Sequence, residues 1–199
     1  MFHFLSGKLI EKSPTAVVIE AGGIGYDISI PVSTYASLPA LGQPVKLLTH
    51  FVVREDAQLL YGFATEEERR MFRHLISISG IGPKIATTAL SGILVEDLKS
   101  AIKEGNVAVL TSVSGIGKKT AERIVIELRE KMILEGGKFS GGGKGLSAAV
   151  SSEAEDATQA LIALGYSKSQ AQSAVDKAVR SQSEKLPVDK LVRLSLKHV

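Results

Sequence analysis

The chain has 199 residues, 44% of them hydrophobic, a formal net charge of +3, and no cysteine or tryptophan. That length allows one to three modest domains with real cores, and the missing cysteine excludes a disulfide framework or a thiolate metal site. Charge is spread thinly: four Lys/Arg face five Asp/Glu in residues 1–64, eleven face ten in 65–135, and nine face six in 136–199, so no segment binds nucleic acid by bulk charge alone.

The N-terminus, M-F-H-F-L-S-G-K-L-I, alternates and lacks a charged start followed by a long apolar run. It reads as neither a signal peptide nor a membrane span, and the expected location is the cytoplasm. Residues 1–64 predict β structure. Phe2–Lys12, Ala16–Glu20, Ile24–Ile30, Pro44–Val53 and Gln58–Phe63 are rich in apolar and aromatic residues with partial alternation. Gly22-Gly23 offers a tight turn, and Val32–Leu38 a helical turn before Pro39. Five short strands suggest a small barrel of the OB type.

Residues 65–135 predict helices. Thr65 with Glu68 forms a capping box, and Met71, Phe72, Leu75, Ile76 and Ile78 supply an apolar face. Further helices are expected at Pro83–Leu90, Val95–Glu104, Val107–Ser112 and Lys118–Leu134. Residues 136–150 contain six glycines and read as a flexible tether. In residues 151–199, Glu153–Leu164, Lys168–Arg180 and Val188–His198 read as three short helices, with a second capping box at Ser167 and Gln170 and Pro187 at a helix start. A tethered bundle of this kind is either a docking module or simply a folded terminus. The expected fold class is therefore α+β multidomain.

The chemistry sits in S-G-I-G-K-K-T-A, residues 114–121. It looks like a nucleotide-binding loop, but a P-loop needs G-x-x-x-x-G-K-[ST]. Here Lys119 stands where Ser or Thr should, and Ser112 stands where the first glycine should. The segment ahead also reads as a short helix rather than a strand. Instead the stretch is one half of a repeat. Shifted by 35 residues, L-I-S-I-S-G-I-G-P-K-I-A (75–86) falls on L-T-S-V-S-G-I-G-K-K-T-A (110–121).

The repeated unit is helix, glycine–isoleucine–glycine turn, helix. The glycines accept backbone angles that side chains forbid and let a phosphate come close. The isoleucine can anchor the turn in the core. The next helix starts at once, with unpaired N–H groups and its positive dipole end. This is the helix-hairpin-helix signature. One copy is as readily a helical turn that merely needs glycine; two copies with matched lysines favour an anion site made for a DNA backbone, which positions without reading bases. Gly80, Gly82, Lys84, Gly115, Gly117, Lys118 and Lys119 are the expected backbone contacts. Arg123 lies one turn beyond Lys119, and either helps there or pairs with Glu127 at i+4.

The whole chain resembles the RuvA family, the Holliday junction branch migration subunits of bacteria. Gly7-Lys8-Leu9, Tyr61-Gly62-Phe63, S-G-I-G-P-K, G-I-G-K-K-T-A-E-R and A-L-I-A-L-G-Y-S carry the resemblance. It implies an OB-fold domain (1–64), a tandem helix-hairpin-helix domain (65–135), a linker (136–150) and a motor-binding domain (151–199) like a ubiquitin-associated bundle. It implies a homotetramer, or two sandwiching the DNA, that holds a four-way junction open. The partners implied are the hexameric ATPase RuvB and the resolvase RuvC, in recombination, repair and the SOS response. It implies no cofactor and no catalysis by this chain, since ATP belongs to the motor. Glu55 and Asp56, which on their own read as a solvated turn, become an acidic pin at the junction's centre. Leu164, Gly165 and Tyr166 match the first turn of the motor-binding bundle, while Ala160, Leu191, Leu194 and Leu196 are apolar at core spacing.

Two rivals stand beside this. A nuclease or glycosylase also grips DNA with such hairpins, but His3, His50, His74 and His198 are scattered, and Glu66–Glu68 and Glu96-Asp97 sit at helix starts that suit the dipole. A generic DNA-binding scaffold would share the modules without the assembly.

Overall fold

The computed structural model describes residues 2–136, 149–180 and 186–198. The chain divides into two compact units, Met1–Ser140 and Gly141–Val199. Most of the expected tether, residues 137–148, lies outside the described residues.

The first unit opens with β1 (Phe4–Lys12), β2 (Ala16–Ala21), β3 (Ile24–Ser29), a helical turn α1 (Val32–Ala36), β4 (Pro44–Val53) and β5 (Gln58–Phe63). They close into a barrel in the order β1-β2-β3-β5-β4. Four seams are antiparallel, and β3 runs parallel to β5. This is the OB arrangement expected from five short strands. Alternation fills the interior: Leu5 and Leu9 of β1, Val17 and Ile19 of β2, Ile28 of β3, and Val45 and Leu47 of β4 are buried together with Ile30. Two of the glycines that carried the family resemblance have a packing reason. A Cβ at Gly7 would lie 2.1 Å from the Glu20 carbonyl oxygen, and one at Gly62 would lie 2.7 Å from Ile28 Cγ2.

The helices follow as α2 (Glu66–Ile76), α3 (Pro83–Gly92), α4 (Val95–Glu104), α5 (Val107–Thr111) and α6 (Lys118–Gly136). Thr65 and Glu68 form the capping box at the start of α2. One core runs through all five and into the barrel wall: Tyr61 and Phe63 of β5 pack with Met71, Phe72 and Leu75, then on to Leu98, Ile102, Ile124, Leu128 and Met132. The Phe72 ring lies 5.1 Å from Tyr61 and 4.9 Å from Phe63.

The seam also holds a polar joint. The Glu68 carboxylate, only 6% exposed, accepts from Ser33 Oγ, Thr34 Oγ1, and the N–H groups of Ala64 and Thr65. Beside it, buried Arg69 donates to the His3 carbonyl at 2.7 Å and pairs with Glu66. The start of α2 thus does more than complement a dipole: Glu68 ties it to α1, and Arg69 ties it to His3, just before β1.

The second unit contains α7 (Ala149–Ala163), α8 (Lys168–Arg180) and α9 (Val188–Ser195). Its core is small: Ala157, Leu161, Ala171, Ala174, Val175, Ala178 and Leu191. Alanines on facing helices let the backbones approach closely. The Ser167–Gln170 capping box forms in both directions. α9 stops three residues short of the expected His198, because Leu196 closes it as the C-cap and the following residues turn.

Candidate nucleic-acid interface

The repeat seen in sequence is repeated bond for bond. In the first turn Ser77 Oγ donates to His74 O at 2.7 Å, Ile81 N to Ile78 O at 3.0 Å, and Ala86 N to Gly82 O at 3.0 Å. In the second, Ser112 Oγ donates to Val109 O at 2.7 Å, Ile116 N to Val113 O at 3.0 Å, and Ala121 N to Gly117 O at 2.9 Å. Ile81 and Ile116 are both buried, anchoring each turn as expected.

The four glycines divide into two kinds, which corrects the sequence reading. Only the first of each pair has a backbone angle forbidden to side chains: φ is +95° at Gly80 and +91° at Gly115. Gly82, the N-cap of α3, has an ordinary extended φ of −87°, and Gly117 is not in the positive region either. At Gly82 and Gly117 an added Cβ would meet nothing within 4 Å. Their glycine leaves open space at a helix start rather than accommodating an unusual angle.

Gly80 and Gly115 also differ. The space beside Gly80 is open, whereas a Cβ at Gly115 would lie 3.3 Å from Ile85 Cγ1. Gly80→Ala should therefore cost only the backbone strain, about 1 kcal/mol, and Gly115→Ala should cost about 2–3 kcal/mol. Urea melts of the two variants check this; equal losses would show that the Ile85 contact is soft.

Gly80, Lys84, Gly115, Gly117, Lys118, Lys119 and Arg123 are exposed, and Gly82 is half-buried. Among the described residues no carboxylate pairs with Lys84, Lys118 or Lys119. Two helix starts, open at the glycine and flanked by unpaired ammonium groups, can hold anions. Arg123 does something the sequence did not suggest: its Nη1 donates to the Ser79 carbonyl at 2.9 Å, across to the other turn. Ser79 and Ile85 are the residues sequence reasoning missed. Ile85 breaks the repeat by matching Thr120, the one signal available.

Glu55 and Asp56 are exposed in the bend joining β4 to β5, which Arg54 N closes on Ala57 O at 2.8 Å. In the second unit Leu164 is exposed, Gly165 ends α7 with φ +101°, and Tyr166 packs against the small core. Leu191 is buried and Leu196 exposed, so the apolar residues of α9 divide between core and surface. Of the histidines, His3 and His50 belong to the barrel–α2 seam. The His50 ring lies 5.4 Å from Phe72, and burial, with Arg73 and Arg69 nearby, holds its imidazole below the usual range. Among the described residues no group of three or more His, Asp or Glu is placed to hold a metal, and no helix is long and apolar enough to cross a membrane.

Three family models match the chain. They are described as the RuvA N terminal domain (residues 1–62), a SAM-like helix-hairpin-helix tandem (72–130) and the RuvA C-terminal domain (152–199). The Holliday junction branch migration complex subunit RuvA of Chromobacterium violaceum is 48% identical over 197 residues, which covers 99% of this chain and 98% of that relative. The chain belongs to the RuvA family. Two other RuvA proteins also match most of the chain. That of Delftia acidovorans is 50% identical over 177 residues, 89% of this chain and 90% of its own. That of Shewanella frigidimarina is 44% identical over 205 residues, 99% and 98%. The RuvA layout maps onto the structure: the first match is the barrel, the tandem match contains both glycine turns, and the last contains α8, α9 and most of α7.

Proposed function

We propose that this chain is the junction-binding, non-catalytic subunit of a DNA branch migration complex. The duplicated hairpin carries the reading: two matched helix starts with open glycines and unpaired lysines suit two phosphates of a DNA backbone. Gly80, Gly82, Lys84, Gly115, Gly117, Lys118 and Lys119 are the proposed contacts. The relatives' name, a subunit of a Holliday junction branch migration complex, supports a four-way junction as the target.

In this reading 1–64 and 65–135 bind the junction, 136–150 tethers, and 151–199 docks the hexameric ATPase RuvB through a surface that includes Leu164, Gly165 and Tyr166. The complex serves recombination and repair in the cytoplasm, alongside the resolvase RuvC. The chain works as a homotetramer. Exposed apolar residues on the barrel, Phe2, Phe4, Val53 and Leu59, are candidates for burial between subunits. Glu55 and Asp56, brought together by fourfold symmetry, repel phosphates at the crossover and disfavour continuous duplex.

A competition gel shift tests this. Unlabelled four-way junction should displace labelled junction far more effectively than duplex of the same length; equal competition would sink the structure-specific claim. Glu55→Gln with Asp56→Asn should keep tight binding but shrink the junction-over-duplex preference by roughly tenfold, as local repulsion is removed. An unchanged preference would remove the pin from the mechanism. Strand scission in magnesium would return the enzyme reading.

A further inference from the structure

The two hairpins are not interchangeable. Under the 35-residue shift Lys118 matches Pro83, Lys119 matches Lys84, and Arg123 matches Thr88. Thr88 stays on its own helix, its Oγ1 donating to Lys84 O at 2.9 Å. Arg123 reaches away from its helix, and its Nη1 donates to Ser79 O, 44 residues distant. Ser79 directly precedes Gly80, whose φ is +95°.

That position matters for a simple reason. A peptide unit is planar and trans, so the Ser79 carbonyl and the Gly80 N–H point in opposite directions. Whatever holds the carbonyl aims the N–H. Glycine restrains the adjoining peptide only weakly, because it lacks a Cβ. The guanidinium supplies that restraint from outside, with a charge-assisted bond from a rigid planar donor. A second contact runs the other way: Gly115, in the second turn, sits against Ile85, in the first turn's own helix.

We propose that Arg123 is a positioning residue: from the second hairpin it fixes the turn of the first, setting the peptide before Gly80 and the spacing between the two anion sites. This rests on the reading that the hairpins hold DNA phosphates. Lys84, Lys118 and Lys119 are then the phosphate-bearing cations, and Arg123 acts through Ser79. Thr88, bonded to Lys84 O on its own helix, makes no matching bond to the second turn.

The test uses the full chain on four-way junction DNA across a salt series. Lys84→Met should lower the slope of log affinity against log salt by about 0.9 for each phosphate no longer neutralised. Arg123→Met should weaken binding about tenfold and lower that slope by no more than Lys84→Met does, because the turn it releases no longer presents Lys84 to its phosphate, and the double variant should keep the slope of Lys84→Met alone. Because Arg123 acts through the first hairpin, Lys84→Met should cost much less in an Arg123→Met background, while Lys118→Met should cost the same in both. A purely structural role would leave the Lys84 and Lys118 effects alike. Hydrogen exchange in DNA-free protein gives an independent reading: amides of residues 77–83 should exchange faster in Arg123→Met. A salt slope that falls further in the double variant than in Lys84→Met alone, additivity with Lys84→Met, or unchanged exchange at 77–83 would each overturn the proposal. A wild-type chain that bound no junction would overturn the DNA reading, and the exchange comparison would still decide whether Arg123 fixes the turn.

Discussion

Replacing Gly82 and Gly117 together with aspartate should leave the fold as stable as before and reduce junction binding by at least about 100-fold. The two halves of this expectation come from the same observation. Neither glycine has a positive φ, and an added Cβ meets nothing within 4 Å at either position. Gly82 is the N-cap of α3, and the Gly117 carbonyl accepts the first bond of α6 from Ala121 N at 2.9 Å. Aspartate is among the best N-cap residues, and its charge suits the helix dipole, so each helix should gain a few tenths of a kcal/mol. The same carboxylate would occupy the helix's free N–H groups and stand where the proposed phosphate would sit. Asparagine at both positions is the control, since it caps without charge. Thermal melts with anisotropy titrations read both halves. A double variant that melts like wild type and binds normally would show that the glycines serve the helical turn and no anion.

The second large effect is on stability. Glu68→Ala should destabilise the Met1–Ser140 unit by about 3–5 kcal/mol, because Ser33, Thr34 and Thr65 lose an acceptor and Ala64 loses one of its two, around a carboxylate that is itself buried. That corresponds to a melting temperature lower by about 10 °C or more. Glu68→Gln keeps the shape but turns an amide N–H₂ toward donors, so it should recover only part of the loss. Calorimetry should show the transition of Gly141–Val199 unmoved. A loss below about 1 kcal/mol for Glu68→Ala would mean that Thr34 Oγ1, which accepts from Ala64 N at 3.1 Å, already satisfies the joint.

Glu68 also marks what sequence could and could not tell. Its capping box with Thr65 is a local pattern, four residues long, and was legible. Its bonds to Ser33 and Thr34 span 35 and 34 residues, and no periodicity encodes them. The hairpins divide in the same way. Their turns could be aligned letter by letter because each is a closed local unit with its own hydrogen bonds. The Arg123–Ser79 bond is a contact between units, so it left no mark in either. Sequence also suggested one reason for all four glycines. The structure separates them, since glycine looks the same in sequence whether it is required for an angle or for empty space. The barrel was legible as five short strands, but its closure, with β3 beside β5, depends on packing across the whole segment.

The shared core of β5 and α2 has a mechanical consequence. A flexible hinge between barrel and hairpins would let either yield under load. Here Phe72 is wedged against Tyr61 and Phe63, and Glu68 and Arg69 bolt the same helix to α1 and to His3. Tension applied at the glycine turns is carried through α2 into the barrel wall that bears the Glu55–Asp56 bend. The first unit is stiff in the way a bracket is stiff: a pull at one end arrives as displacement at the other, with little lost to bending between.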